Sequence, residues 1–196
     1  MNNQHTIFVT SCAAGDTGAI STFKLDTGTG ALAPLNRYTD IDSPFFIALS
    51  PDRKVLYSTH EPAGSETGYI AAFKIIGPSG ELRKINEQPT NGGTACYVDV
   101  SPSGKAVVIA NYSSGSVGSY PVQADGSLGE MASFVQQEGG SMVVEARQKG
   151  PHAHCSVISP SGKHMFACNL GTDQILGYAL DGVSARLTPL DQPYVR

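Results

Sequence analysis

Arg147, Lys149, His152 and His154 crowd into the stretch "EARQKGPHAH", and each type brings its own chemistry. An imidazole titrates close to neutrality, so it can take a proton and return it during a reaction. A guanidinium offers a planar fork of donors that matches a carboxylate or phosphate, whereas an ammonium is a point charge. Together they suit a local anion site with a proton to move. His152 and His154 stand two apart, so on a strand both side chains point to one side. No third His, Cys or acidic residue stands at ligand spacing from them, so no metal is expected. Lys149 reads as a solvated loop charge.

The rest of the chain narrows the chemistry. "NYSSGS" holds Ser113 and Ser114 but no G-x-S-x-G elbow, which argues against a serine nucleophile. No helix follows it, so a phosphate loop is a poor reading. The 196 residues are 40% hydrophobic and 15% charged with a formal net charge of −4, so no broad basic field attracts nucleic acid or an anionic membrane. Cys12, Cys96, Cys155 and Cys168 make no CxxC pair and read as free thiols in a reducing compartment. "VTSC" has the look of a lipoprotein cleavage box. No Lys or Arg precedes it, however, and the apolar run before it is short. No window approaches the roughly 18 apolar residues of a membrane span. A soluble, cytoplasmic chain without membrane or nucleic-acid partners is expected.

An internal repeat must position the cluster. "LSPDRKVLYSTHE" from Leu49, "VSPSGKAVVIANY" from Val100 and "ISPSGKHMFACNL" from Ile158 are copies of one unit. Each is followed by a second unit, at Gly68, Gly115 and Asp173, and a further copy of that second unit begins at Gly18. The period of about 50 residues falls in the propeller range. Each period carries four short apolar or alternating runs, here A to D, separated by Pro- and Gly-bearing turns. The B run Val107, Val108, Ile109, Ala110 is continuously apolar, as in a strand covered on both faces. The fold expected is all-β: a β-propeller of four-stranded antiparallel blades.

The expected organisation is a single propeller region, 1–196, with approximate blades 1–41 (lacking strand A), 42–92, 93–150 and 151–196. About four blades of a larger ring are thus expected, completed by self-association or a second chain. In an up-and-down blade the tight A–B and C–D turns share one face. The longer B–C and D-to-A loops share the other, where function should lie.

The residues "GGTACYVDVSPSGKAVVIANYSSGSV" and "RQKGPHAHCSVISPSGK…NLGTDQI" carry a likeness to a known family. The chain resembles the N-terminal half of the seven-bladed lactonase family, which includes propeller-type 6-phosphogluconolactonases and carboxymuconate lactonizing enzymes. The resemblance implies that His154 does general acid/base work and that Arg147 and His152 line the same channel mouth. It also places Asn111 and Tyr112 among the substrate-contacting residues. Glu61, on a neighbouring B–C loop, is a further substrate-site candidate, as a carboxylate that orients a histidine or as a solvated loop acid. Three positions depart from the pattern: Cys96-Tyr97 replaces a usual Cys-His, Asn169 stands where Asp is usual, and Thr59-His60-Glu61 replaces Asn-Glu. An arginine and a glutamate of the family's second half have no counterpart. The implied activity is hydrolysis of 6-phosphogluconolactone, without metal or organic cofactor, on a small anionic lactone or carboxylate substrate. Carboxymuconate cyclisation and a non-catalytic binding module are the alternatives.

Overall fold

The computed structural model describes residues 3–13 and 15–195. The outermost limits expected for the first and last blades, residues 1 and 196, lie outside the described residues. Among the described residues fifteen strands follow one another. They are β1 (Gln4–Ser11), β2 (Ala19–Asp26), β3 (Leu32–Tyr38), β4 (Ile47–Leu49), β5 (Val55–His60), β6 (Tyr69–Ile76), β7 (Glu81–Pro89), β8 (Ala95–Val100), β9 (Ala106–Asn111), β10 (Ser116–Pro121), β11 (Ser133–Gln136), β12 (Ala153–Ile158), β13 (His164–Asn169), β14 (Gln174–Leu180) and β15 (Leu187–Val195). One 3-10 turn, Gly15–Thr17, follows β1. The strands form a three-stranded sheet β1-β2-β3 and three four-stranded sheets, β4 to β7, β8 to β11 and β12 to β15. All neighbours pair antiparallel in chain order. This is the up-and-down blade of a β-propeller, as the repeat predicts.

The tight turns form for a local reason. In each SPxxK copy the leading serine accepts a backbone N–H five residues on, Ser50 from Val55 (3.0 Å), Ser101 from Ala106 (3.0 Å) and Ser159 from His164 (3.2 Å). The turn needs one left-handed residue, supplied by Gly104 and Gly162 at φ near 71° and 72°. In the first copy Arg53 occupies that place at φ 57°.

Blades stack face to face, and their strands share out side chains accordingly. On β9, Val107 and Ile109 pack with Tyr57, Ile70 and Tyr120 toward the preceding sheet. Val108 and Ala110 pack with Met165, Ala167 and Tyr178 toward the following one. Ile20, Leu56, Ala71 and Phe73 fill the space between the first two sheets. Every residue of β5 and β9 is buried. Fully burying each large side chain contributes about 1.5–3 kcal/mol. The strands β4, β8 and β12 lie side by side, which makes them the inner wall, and Phe46 stacks on Tyr97 there at 4.3 Å. The B–C loops and the D-to-A loops share one face, above that wall. Among the described residues no helix is long and apolar enough to cross a membrane.

Candidate functional site

The loop entering β12 is organised by a residue with no charge at all. Gln148 is buried, accepts the Val144 N–H at 2.6 Å, and donates to Leu170 O at 2.9 Å and Asp173 Oδ1 at 2.6 Å. The N–H groups of Arg147 and Gln148 both donate to Val144 O, closing a single helical-type turn. With Gln148 turned inward, Arg147 is left exposed, and its Nη2 donates to Tyr112 Oη at 2.7 Å. Lys149 meets Glu145 at 3.7 Å, with both side chains largely in water.

Asn169, the last residue of β13, holds the other side. Its Oδ1 accepts the N–H groups of His152 (2.9 Å), Gly171 (2.9 Å) and Thr172 (3.2 Å), and its Nδ2 donates to Gln137 Oε1 at 2.6 Å. A buried amide whose oxygen gathers three N–H groups fixes the backbone around it. Gly171 allows the close approach: a Cβ there would lie 1.8 Å from Gly150 O, which no backbone can accept. Cys96 adds a further tie between β8 and β12, its Sγ donating to His154 O at 3.4 Å. Burial pushes that thiol up to about 11, so it stays protonated and serves as a donor.

Tyr112 is the hub. Its ring stacks on His152 at 4.7 Å and 20° and meets His154 edge-on at 5.6 Å and 89°. His152 Nδ1 lies 3.1 Å from Tyr112 O, which anchors that imidazole to the backbone. His154 is exposed and lines a cavity of about 580 Å³ together with Arg147, Cys155, Cys168, Asn169 and Asp173. Burial, together with the neighbouring Cys155 thiol, raises the Cys168 thiol to about 11, so Cys168 is not a ready nucleophile. The cavity therefore presents a proton-transfer group, a cationic donor and an otherwise largely apolar wall. That combination can bind an anionic carbonyl compound and move a proton on it.

The structure brings Arg147, Tyr112, His152 and His154 together. Two expected residues fall elsewhere. Asn111 was expected to contact substrate, but it is wholly buried, donating to Thr90 O at 3.1 Å and Ser116 Oγ at 3.0 Å. It supports the loop that presents Tyr112 and does not reach the cavity. Glu61 lies on the B–C loop of the second sheet, accepts the Thr94 N–H at 2.7 Å and lines a separate cavity. Gln148 and Gln137 escape a reading by residue type, because uncharged amides in loops carry no chemical signature. The one available signal was that Gln148 sits between two cations, in a segment that must fold back on itself.

The family description "Lactonase, 7-bladed beta-propeller" matches residues 6–196. The chain belongs to this family. Its relatives include a 6-phosphogluconolactonase of Bacillus subtilis, 34% identical over 177 residues, which are 90% of this chain and 50% of that protein. A second, from Formosa agariphila, is 32% identical over 80% of this chain and 44% of its own length. Among solved structures, one from Bacteroides fragilis superposes on 100% of the chain and 55% of its own, with TM-score 0.89 and 31% identity. The periplasmic gluconolactonase of Pseudomonas aeruginosa follows with TM-score 0.85 and 26% identity, over 98% of this chain and 55% of its own. This lactonase-family chain thus spans about half the length of the curated relatives it matches.

Proposed function

We propose that the chain supplies the catalytic histidine of a lactonase that opens 6-phosphogluconolactone to 6-phosphogluconate. The observation that carries this reading is the convergence of His154 and Arg147 on one cavity, both held in place by Tyr112. His154 takes a proton from water as its oxygen attacks the lactone carbonyl. The carbonyl electron pair moves onto oxygen, where the Arg147 guanidinium stabilises it or, in the other orientation of the substrate, holds the phosphate. Collapse breaks the ring C–O bond, and the imidazolium returns its proton to the leaving ring oxygen. No metal or organic cofactor takes part. The names of the Bacillus and Formosa relatives support this substrate, and that of the Pseudomonas neighbour supports lactone chemistry more broadly.

In the same reading further blades pack against the last sheet to complete the ring. Val157, Phe166 and Ile175, each about two-fifths exposed on the open face of the last sheet, support a further blade packing there. The four free cysteines support a cytoplasmic setting.

The test is hydrolysis of the lactone above the buffer rate, on a species whose native mass has been measured. His154→Ala should lower kcat by about 10²–10⁴-fold. Arg147→Ala should raise KM more for the phosphorylated lactone than for gluconolactone. A His154→Ala protein with undiminished kcat would overturn the assignment.

A further inference from the structure

The last residue of strand B is His60, Asn111 or Asn169 in the three four-stranded sheets, opposite Tyr69, Ser116 and Gln174 respectively. Both asparagines use their amides to tie down the loop that follows, although Asn111 Oδ1 is itself buried without a partner. Asn111 bonds Ser116 Oγ across loop 112–115, and Asn169 caps Gly171 and Thr172 within loop 170–173. His60 does neither. Its Nε2 lies 3.2 Å from Glu87 Oε2, a carboxylate also paired with Lys84. The loop it leads into, 61–68, is longer and stands open.

A cavity of about 300 Å³ lies there, lined by Cys12, Ser43, Phe45, His60, Glu61 and Thr94 among others. His60 is 5% exposed, and its Nδ1 is buried without a hydrogen-bond partner. With the imidazole proton on Nε2 toward Glu87, Nδ1 is an acceptor. Glu61 gives one oxygen to the Thr94 N–H and keeps further lone pairs. Asp42, next in sequence to the lining residue Ser43, accepts from Gly15 N and from the lining residue Ala63 N at 2.8 and 3.4 Å. The Phe45 ring is 49% exposed. Among the described residues no lysine or arginine lines this cavity. Acceptors, carboxylate charge and an aromatic face converge, the reverse of the Arg147 cluster.

We propose that this cavity binds a small organic ammonium ion of about monosaccharide size. The ammonium donates to Glu61 and to His60 Nδ1, while the carbon skeleton lies against Phe45, whose ring face also attracts the cation. Burial lowers the proton affinity of His60, helped by Lys84 and opposed by Glu87 and Asp42, so the imidazole stays neutral at pH 7 and keeps its acceptor.

The experiment is calorimetric titration of the full chain at pH 7 with glucosamine, its neutral isostere glucose, and gluconate. Glucosamine should bind at least ten-fold tighter than glucose, and gluconate should not compete with it. Glu61→Gln should remove that preference. His60→Asn, which restores the amide of the other repeats and should fold, should weaken glucosamine binding likewise. Arg147→Ala should leave it unchanged, which separates this site from the lactonase reading. Equal binding of glucose and glucosamine, stronger binding of gluconate, loss on Arg147→Ala, or no binding of glucosamine by the folded chain would each overturn the proposal.

Discussion

The β13–β14 loop and the β5–β6 loop leave the same place in the repeat and reach opposite outcomes. The first is closed by Asn169, whose oxygen gathers three backbone N–H groups, with Gly171 pressed against Gly150. The second follows His60, whose ring turns to Glu87, and Gly64 in it meets nothing within 4 Å. One closed loop helps to fix the histidines and arginine around the cavity that Arg147 and His154 line. One open loop leaves an acidic cavity beside a buried imidazole. A repeat fixes where a loop starts, and the identity of one residue at the strand end decides whether it seals.

The sharpest way to break this comparison is with glycine. Gly171→Ala should cost about 3 kcal/mol or more, because backbone faces backbone and neither can yield. Gly64→Ala at φ 79° meets open space and should cost only about 1 kcal/mol, from its left-handed conformation alone. Urea unfolding measures both, and equal costs would mean that the two loops are packed alike.

Asn169→Ala comes next. It strands buried donors on His152, Gly171 and Thr172 and should destabilise by about 2–3 kcal/mol, while lactone hydrolysis falls at least ten-fold. Unfolding midpoints and kcat for the same preparation separate the two effects.

The smallest effect concerns pH. The His60 pKa is lowered in the fold, chiefly by burial, so the unfolded chain binds the proton more readily. Its contribution to stability is complete above the unfolded value of about 6.5 and declines as pH falls from there toward the folded value. Glu87, whose pKa is also lowered, through Lys84 and His60 and against its own burial, adds loss below its ordinary carboxyl range. His60→Asn should flatten the stability profile just below pH 6.5 and leave the more acidic part in place. An unchanged profile would mean that His60 protonates freely in the fold.

Much of the fold is legible in the chain itself. Val107 to Ala110 implied a strand with both faces covered, and alternate side chains of β9 do enter two different cores. The related strand β13 carries an equally continuous apolar run, Met165 to Cys168, yet is buried on one face only, with Phe166 and Cys168 exposed on the open face of the last sheet. The chemistry of Arg147, His152 and His154 was visible too, since charge and imidazole declare themselves by type. Asn111 and Glu61 were not assignable that way. Whether an amide faces substrate or a buried Ser116, and which cavity a loop carboxylate borders, depends on neighbours many residues distant.

The sequence by itself determined the repeat, the turns and the blade architecture, because periodicity, left-handed turn residues and serine capping are local properties of the chain. It also placed a proton-transfer group and a cation within eight residues of each other. Only the tertiary structure decided that Tyr112, from the preceding blade, would bind them into one site. It likewise decided that Asn111 would be spent on support, and that His60 would stand buried beside a cavity. Those outcomes rest on burial and on hydrogen bonds between blades, which exist only once the sheets have stacked.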